Sequence, residues 1–203
     1  GVQVSGDWDI PLMIPWRRCS ILAEAINDLQ GQIVNEPEPG LPLIYFGDAA
    51  LEDASHEFSV RSVVRGWNGG ILPTRDPISF SLEETFTPAG VLAGALAVSE
   101  AFQFIRGDNT LAGHRPVGLS LWRPDSKVSW FDADPGPVLD SLPSKLWLIG
   151  LGQLGQAYLW TLCFLPYPVG CDVQLVLQHI DALEDANDST SLLTNKTLIG
   201  MKK

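Results

Sequence analysis

The sequence has few cysteines and histidines, and none stands in a metal-binding pattern. Its three cysteines and three histidines form no Cys-x-x-Cys, His-x-x-x-His or His-Glu-x-x-His spacing, which are common spacings of zinc sites. Three cysteines are also too few, and odd in number, for a disulfide framework. We therefore expect no metal site built from such motifs, no disulfide-bonded fold, and a reducing, cytoplasmic location.

Basic residues are scarce as well. The chain carries 13 Lys and Arg against 24 Asp and Glu, a formal net charge of -11. Because binding to nucleic acid needs a basic face, we expect no nucleic-acid partner. No signal-peptide pattern opens the chain, and no uninterrupted apolar run reaches the ~18 residues of a membrane span. We therefore expect no membrane partner either.

The residues that are present predict a globular α/β protein. Hydrophobic residues make up 45% of the 203 residues, enough for a substantial core. The clearest helix is predicted over residues 88–106, where apolar side chains recur at steps of four and three: Val91, Ala95, Val98, Phe102 and Ile105. Its many alanines and glycines would let another backbone come close. A shorter helix is predicted over 18–30, strands over 43–46, 57–65 and 117–122, a glycine-rich turn over 66–71 and a linker over 132–137.

A Gly-x-Gly-x-x-Gly pattern lies in the stretch KLWLIGLGQLGQAYLW, at Gly150, Gly152 and Gly155. Residues 145–149 predict a strand, 155–164 a helix and 173–177 a second strand, which is the order of a right-handed parallel crossover. In such a turn the first glycine allows the tight bend, the second lets phosphate oxygens approach, and the third lets helix and strand pack. The helix N-terminus attracts the anion. The pattern predicts nucleotide binding; a turn whose glycines serve packing alone is the simpler alternative.

The end of the second strand lacks the acidic residue that binds ribose in many nicotinamide enzymes. His179 stands directly after the strand, and Asp181 follows two residues later. This departure makes a nicotinamide-dependent dehydrogenase less favoured. A histidine at a strand end is also more often structural than ligand-binding.

The stretches LWLIGLGQLGQAYLWTL and QHIDALEDANDSTSLLTNKTLIGMKK resemble the ThiF-type adenylyltransferases, relatives of the ubiquitin-activating enzymes. Softer similarities in TPAGVLAGALAVSEAF and RGWNGG resemble the bacterial type with an extra N-terminal region. The specific part covers residues 145–203. The resemblance implies a cofactor-binding set around ATP and Mg²⁺: Gly150, Gly152, Gly155, Asp181, Asn187 and Lys203.

This sequence departs from the pattern of that family at three positions. His179 stands where the family has a ribose-binding Asp, Thr190 where it has a phosphate-binding Arg, and Ser191 where it has Gln. Simpler roles are open for the matching residues too: Lys203 as a solvated lysine, Asn187 as a turn former and Asp181 as part of a solvated acidic loop. The sequence assigns no catalytic residue.

The resemblance implies ATP-dependent adenylation of the C-terminus of a ubiquitin-like or sulfur-carrier protein. It also implies a homo- or heterodimer in which the neighbour supplies the missing Arg. An NAD(P)- or FAD-dependent oxidoreductase and a non-catalytic nucleotide- or protein-binding module stay open as alternatives. The expected fold is a Rossmann-like parallel sheet. Residues 1–140 would form an N-terminal α/β region similar to a degenerate Rossmann half, and 144–203 the start of a nucleotide-binding domain that is incomplete at residue 203.

Overall fold

The computed structural model describes residues 1–16, 18–47, 56–78 and 86–203, which form a mixed α/β protein. In chain order the described elements are β1 Gln3–Val4, β2 Pro11–Trp16, β3 Cys19–Ile21, α1 Leu22–Asp28, β4 Gln32–Ile33, β5 Leu43–Tyr45, β6 Ser59–Arg65, β7 Asn68–Pro73, α2 Thr87–Arg106, β8 Val117–Ser120, β9 Lys145–Ile149, α3 Gln153–Leu162, β10 Gln174–Gln178, α4 Asp185–Thr190 and a 3₁₀ turn Lys196–Leu198. The α/β class is confirmed. Among these residues the sheets have two or four strands, and none is the extended parallel sheet of a Rossmann fold.

The chain divides into two compact units. Unit 1 comprises Gly1–Asp7 and Ile26–Val138, and unit 2 comprises Trp8–Ala25 and Leu139–Lys203. The domain limits that the sequence suggests, at residues 140 and 144, stay a prediction.

Unit 1 is built on a four-stranded sheet in the order β5-β6-β7-β8. β5 and β6 are parallel, whereas β7 is antiparallel to both β6 and β8. The core lies between this sheet and α2, where Phe58, Val60, Ile71 and Ala97 are buried together. All six residues of β7 are buried, as expected for a central strand.

The prediction of a turn over residues 66–71 is wrong beyond its first two residues, because β7 begins at Asn68. The glycines of this strand serve close packing on its two faces. A Cβ on Gly69 would lie 2.1 Å from the carbonyl oxygen of Ala89 in α2, and a Cβ on Gly70 would lie 2.7 Å from the Trp130 ring. Alternate residues of a strand face opposite sides, so both layers approach β7 where it has no side chains.

α2 spans Thr87–Arg106, within one residue of the prediction, and ends at Gly107 in the left-handed conformation. Ala89, Ala93 and Ala97 face the sheet and are fully buried. The expectation that small residues bring another backbone close is thereby confirmed. α2 is also long and apolar enough, by length and composition alone, to cross a membrane, with 28% of its most apolar 18 residues buried. Ser99, Glu100 and Gln103 interrupt its apolar residues, and the expectation of no membrane partner stays a prediction.

The predicted linker over residues 132–137 is instead held against the turn between β6 and β7. The Asn68 side-chain amide donates to the carbonyl oxygens of Ala133 and Asp134, at 3.0 and 3.3 Å. The backbone N–H of Trp67 donates to the carbonyl oxygen of Pro135 at 2.7 Å. This segment belongs to unit 1.

Unit 2 holds the candidate site and has two parts. Its N-terminal part is the β2–β3 hairpin, followed directly by α1. Trp16 at the end of β2 packs edge-on against Trp160 of α3, with ring centroids 6.0 Å apart. The other part begins with β9, α3 and β10.

Candidate functional site

The site is built on a strand–helix–strand unit. β9 and β10 pair in parallel with Lys145 opposite Gln174 and Ile149 opposite Gln178, and α3 lies between them in the chain. The predicted order is confirmed, with each boundary within two residues for all three elements. Ligands of such units bind at the carboxyl ends of the strands, which here means residues 150–155 and 179 onwards.

The three glycines of the turn differ in the structural reason for having no side chain at that position. Gly150 has a φ of 94°, which favours glycine, and its N–H donates to the carbonyl oxygen of Gln178 at 2.8 Å. A Cβ on Gly155 would lie 1.7 Å from the carbonyl oxygen of Gly150. Packing and backbone conformation therefore account for the first and third glycines.

Gly152 is different, because a Cβ on it would meet no described atom within 4 Å. Its φ of -71° also suits any residue. It is the N-cap of α3 but offers no side chain to accept hydrogen bonds from the first turn. The N-terminus of this ten-residue helix therefore presents backbone N–H groups and the positive end of its dipole beside open space.

His179 makes a hydrogen bond to the backbone of the glycine turn. Its Nδ1 accepts a hydrogen bond from the backbone N–H of Leu151 at 3.0 Å, and its side chain is 13% exposed. Its Nε2 lies 3.2 Å from Oδ2 of Asp181 but makes no hydrogen bond to a described atom. In the neutral ring an accepting Nδ1 puts the proton on Nε2, facing the carboxylate. His179 thus takes a structural position and not that of a ribose acceptor.

Gln156 is a residue that the sequence reasoning missed. It lies in α3 and is buried. Its amide nitrogen donates to the carbonyl oxygen of Leu151 at 3.2 Å, and its Oε1 accepts from Leu193 N–H at 2.9 Å and the Thr194 hydroxyl at 3.1 Å. The side chain thus ties the glycine turn to residues 193–194. The only sequence signal for it is a polar residue directly after the third glycine.

The C-terminal residues return to the strand end that carries Asp181. Leu183 N–H donates to the Met201 carbonyl oxygen and Gly200 N–H donates to the Leu183 carbonyl oxygen, at 2.8 Å each. Lys203 N–H donates to the Asp181 carbonyl oxygen at 3.2 Å. An antiparallel bridge between Ala182 and Lys202 lies between these contacts. The structure therefore brings Lys203 beside Asp181, two candidates that stand 22 positions apart in the sequence.

Asn187 has a local role. Its side-chain oxygen accepts the backbone N–H of Glu184 at 2.9 Å, at the start of α4, and the Thr190 hydroxyl donates to Ala186 within the same helix. The side-chain oxygen of Asn187 is therefore engaged in shaping the helix start. Within the described residues, no group of three or more His, Cys, Asp and Glu side chains is placed to hold a metal ion.

The predicted cofactor-binding residues differ in how much room lies around them. Gly152 lies at the N-terminus of α3, the positive end of the helix dipole, and the backbone of Lys203 lies beside that of Asp181. Asp181 is 65% exposed and offers a carboxylate to hydroxyl groups. Thr190 supplies no positive charge at the position where the motif resemblance implies an Arg.

Two family models match the chain. The model of the BilD N-terminal domain matches residues 1–121, and the model of the BilD C-terminal domain matches residues 142–203. A relative from Collimonas sp. (strain OK412), the "Bacterial E1-like protein BilD", is 38% identical over 198 residues. The alignment covers 97% of this chain and 42% of the relative, so the chain spans less than half the relative's length. No solved structure matches the chain.

These matches correct the family suggested by the sequence motifs. The prediction that the chain is a ThiF-type adenylyltransferase is wrong, because the family models that match are those of BilD. The BilD models also cover the N-terminal region, where the motif resemblance was softest. The relative's name, E1-like, retains a coarser relation to ubiquitin-activating proteins.

Proposed function

The chain belongs to the BilD family, and from this premise we propose that it takes part in the ATP-dependent activation of a ubiquitin-like or sulfur-carrier protein. The E1-like name of its Collimonas relative supports this proposal. The activity of a longer protein would draw on residues beyond these 203, because the relative is more than twice as long. A cytoplasmic location belongs to the same proposal.

The proposal rests on the open space around a Cβ built on Gly152. Gly150 and Gly155 are needed by the turn itself, whereas nothing within 4 Å of a Cβ on Gly152 requires a glycine there. A phosphate group that approaches the backbone at the N-terminus of α3 would supply the missing reason. The alternative of a turn whose glycines serve packing alone accounts for Gly150 and Gly155 and leaves Gly152 with its role as N-cap of α3.

The other residues would take subsidiary roles. Lys203, held beside Asp181 by a backbone hydrogen bond, would place its ammonium near the phosphates, and Asp181 would accept ribose hydroxyls. Bound ATP with Mg²⁺ would supply an α-phosphorus for attack by a carboxylate, with pyrophosphate as the leaving group. Asn187 would hold α4, and His179 and Gln156 would hold the turn and residues 193–194 in place.

We also propose that β9 and β10 belong to a larger Rossmann-like sheet. Parallel sheets are covered on both faces, but Trp147 and Ile149 of β9 are 64% and 69% exposed, and Val176 opposite Trp147 is 57% exposed. All five residues of β10 are exposed. Further strands and a helix would cover this apolar surface.

Nucleotide selectivity tests the proposal. ATP with Mg²⁺ should stabilise the chain against heat unfolding, by about 2.7 kcal/mol at a hundredfold excess over Kd, whereas NAD(H) and FAD should not. Protection by NAD(H) or FAD alone would favour an oxidoreductase, and protection by no nucleotide would favour a non-catalytic module. In a longer BilD protein, pyrophosphate exchange should require a ubiquitin-like protein with a free C-terminal carboxylate.

A further inference from the structure

The backbone of Leu151, between the first two glycines of the turn, is held by two side chains. Its N–H donates to Nδ1 of His179 at 3.0 Å, and its carbonyl oxygen accepts from the amide nitrogen of Gln156 at 3.2 Å. Leu151 itself is buried. These two hydrogen bonds fix the orientation of the peptide groups that lead into the N-terminus of α3.

The two side chains that hold Leu151 differ in their response to pH. The amide of Gln156 does not titrate. Nδ1 of His179 accepts a hydrogen bond only while the ring is neutral, because both ring nitrogens carry hydrogen in the imidazolium ion. A proton on Nδ1 would face the N–H of Leu151, so this hydrogen bond is lost when His179 is protonated.

The other ring nitrogen of His179 faces a carboxylate. Nε2 lies 3.2 Å from Oδ2 of Asp181, whose side chain is 65% exposed. A protonated ring would form a charge-assisted pair with this carboxylate. Protonation therefore removes the acceptor of Leu151 N–H and strengthens the contact with Asp181.

The elements around His179 bring few other titratable groups. The glycine turn and β10 contain no titratable side chain, and α3 contains only Tyr158, which is 58% exposed. Lys145 stands at the opposite end of β9. Lys202 and Lys203 reach this segment through pairing of their backbones. The carboxylate two residues after His179 is thus the charged group that a protonated ring would meet.

We propose that His179 is a positioning residue that makes the glycine turn sensitive to pH, since protonation of its ring releases Leu151 N–H and weakens the binding of an anion at the N-terminus of α3. The inference rests on the proposed function for the identity of that anion, a nucleoside triphosphate. A helix start binds an anion through several N–H groups at once, so it depends on the turn that orients them. The imidazolium adds little attraction of its own, because the Asp181 carboxylate neutralises its charge.

Hydrogen exchange of the chain without nucleotide tests the release of the turn. Between about pH 8 and pH 5, the interval in which histidine side chains change charge, protection of the Leu151 amide should fall by about tenfold, the scale of one hydrogen bond. The intrinsic effect of pH on exchange is divided out. Gly150 N–H is the matched control, since it donates to the backbone carbonyl oxygen of Gln178 at 2.8 Å and should stay protected. Unchanged protection of Leu151, or an equal fall at both amides, would overturn the proposal.

Two further measurements assign the response to the ring of His179. In His179→Asn the side-chain oxygen can accept from Leu151 N–H and does not titrate, so protection of Leu151 should not depend on pH. Nitrogen NMR of the wild-type ring at pH 8 should show the proton on Nε2. A fall in protection that persists in His179→Asn, or a ring proton on Nδ1 at pH 8, would refute the role of His179.

Titration with ATP and Mg²⁺ tests the consequence for binding and separates this inference from the proposed function. From pH 8 to pH 5 the dissociation constant of the wild-type chain should rise by about tenfold more than that of His179→Asn, a comparison that cancels the titration of the phosphates. An equal rise in the two chains would overturn the role of His179 and leave ATP binding intact. No ATP binding by wild type at pH 8, with Leu151 still released at pH 5, would refute the proposed function and leave the pH response of the turn standing.

Discussion

A Cβ on Gly155 would lie 1.7 Å from the carbonyl oxygen of Gly150. The first and third glycines of the turn are therefore packed against each other, and the start of α3 can approach the end of β9 only because Gly155 has no side chain. Gly152, between them in the chain, makes no comparable contact. This difference separates the glycines that build the turn from the one left open to a ligand.

Gly155→Ala should destabilise unit 2 by about 3 kcal/mol, because the new methyl group meets backbone and no side chain can move to relieve it. The measurement is urea unfolding followed by tryptophan fluorescence. Gly94→Ala is the matched control, since a Cβ there meets nothing within 4 Å and alanine favours a helix interior. A Gly155→Ala chain as stable as wild type would contradict the packing described.

His179→Leu should cost about 1–3 kcal/mol, because Leu151 N–H loses its acceptor. His179→Asn should recover much of this loss, since the asparagine side-chain oxygen can accept in place of Nδ1. Thermal unfolding of the two variants checks the prediction. Equal stability of His179→Leu and wild type would show that this hydrogen bond does not hold the turn.

Changes at Gln156 should act on residues 193–194. Gln156→Leu removes the acceptor of Leu193 N–H, so hydrogen exchange at that amide should quicken. Gln156→Glu keeps that acceptor but places a carboxylate oxygen against the Leu151 carbonyl, so it should lower stability while Leu193 stays protected. Unchanged exchange at Leu193 in Gln156→Leu would mean that the side chain does not tether this segment.

Arg115→Ala should destabilise unit 1, because among the described residues the buried carboxylate of Glu100 would keep only the Gly113 N–H as donor, at 3.1 Å. The expected cost is about 2 kcal/mol, below the ~3–5 of a fully buried pair, since Arg115 is 39% exposed. Arg106→Ala is the control, because its pair with Asp108 is exposed on both sides and should contribute under ~1 kcal/mol. Equal losses in the two variants, measured by urea unfolding, would contradict a special role for Glu100.

Elements whose conformation is set by residues near in the sequence are predicted well, and elements set by contacts with distant residues are not. The β9–α3–β10 unit follows from strand length, a glycine turn and helical spacing, and it was predicted within two residues. β7 was not, because Asn68-Gly69-Gly70 has the composition of a turn. These glycines form a strand since the backbone of α2 and the Trp130 ring both pack on them, and neither neighbour is near in sequence.

The residues of the candidate site also differ in how far they can be predicted from the sequence. The glycines are visible in the sequence, but the two residues that donate to Gln156, Leu193 and Thr194, lie 37 and 38 positions away. The sequence also does not determine which face of α2 packs against the sheet, because alanines and larger apolar residues both recur at helical spacing. The close approach of Ala89 to Gly69 selects the alanine face.

The most direct test of the proposed function is ATP binding by Gly152→Ala, measured by isothermal titration calorimetry beside the wild-type chain. A Cβ at position 152 meets no described atom, so the variant should lose at most about 1 kcal/mol of stability, the scale of an N-cap change. The wild-type chain should bind ATP with Mg²⁺, and the folded variant should bind it at least tenfold more weakly. Undiminished ATP binding by Gly152→Ala, or no binding by wild type, would contradict it.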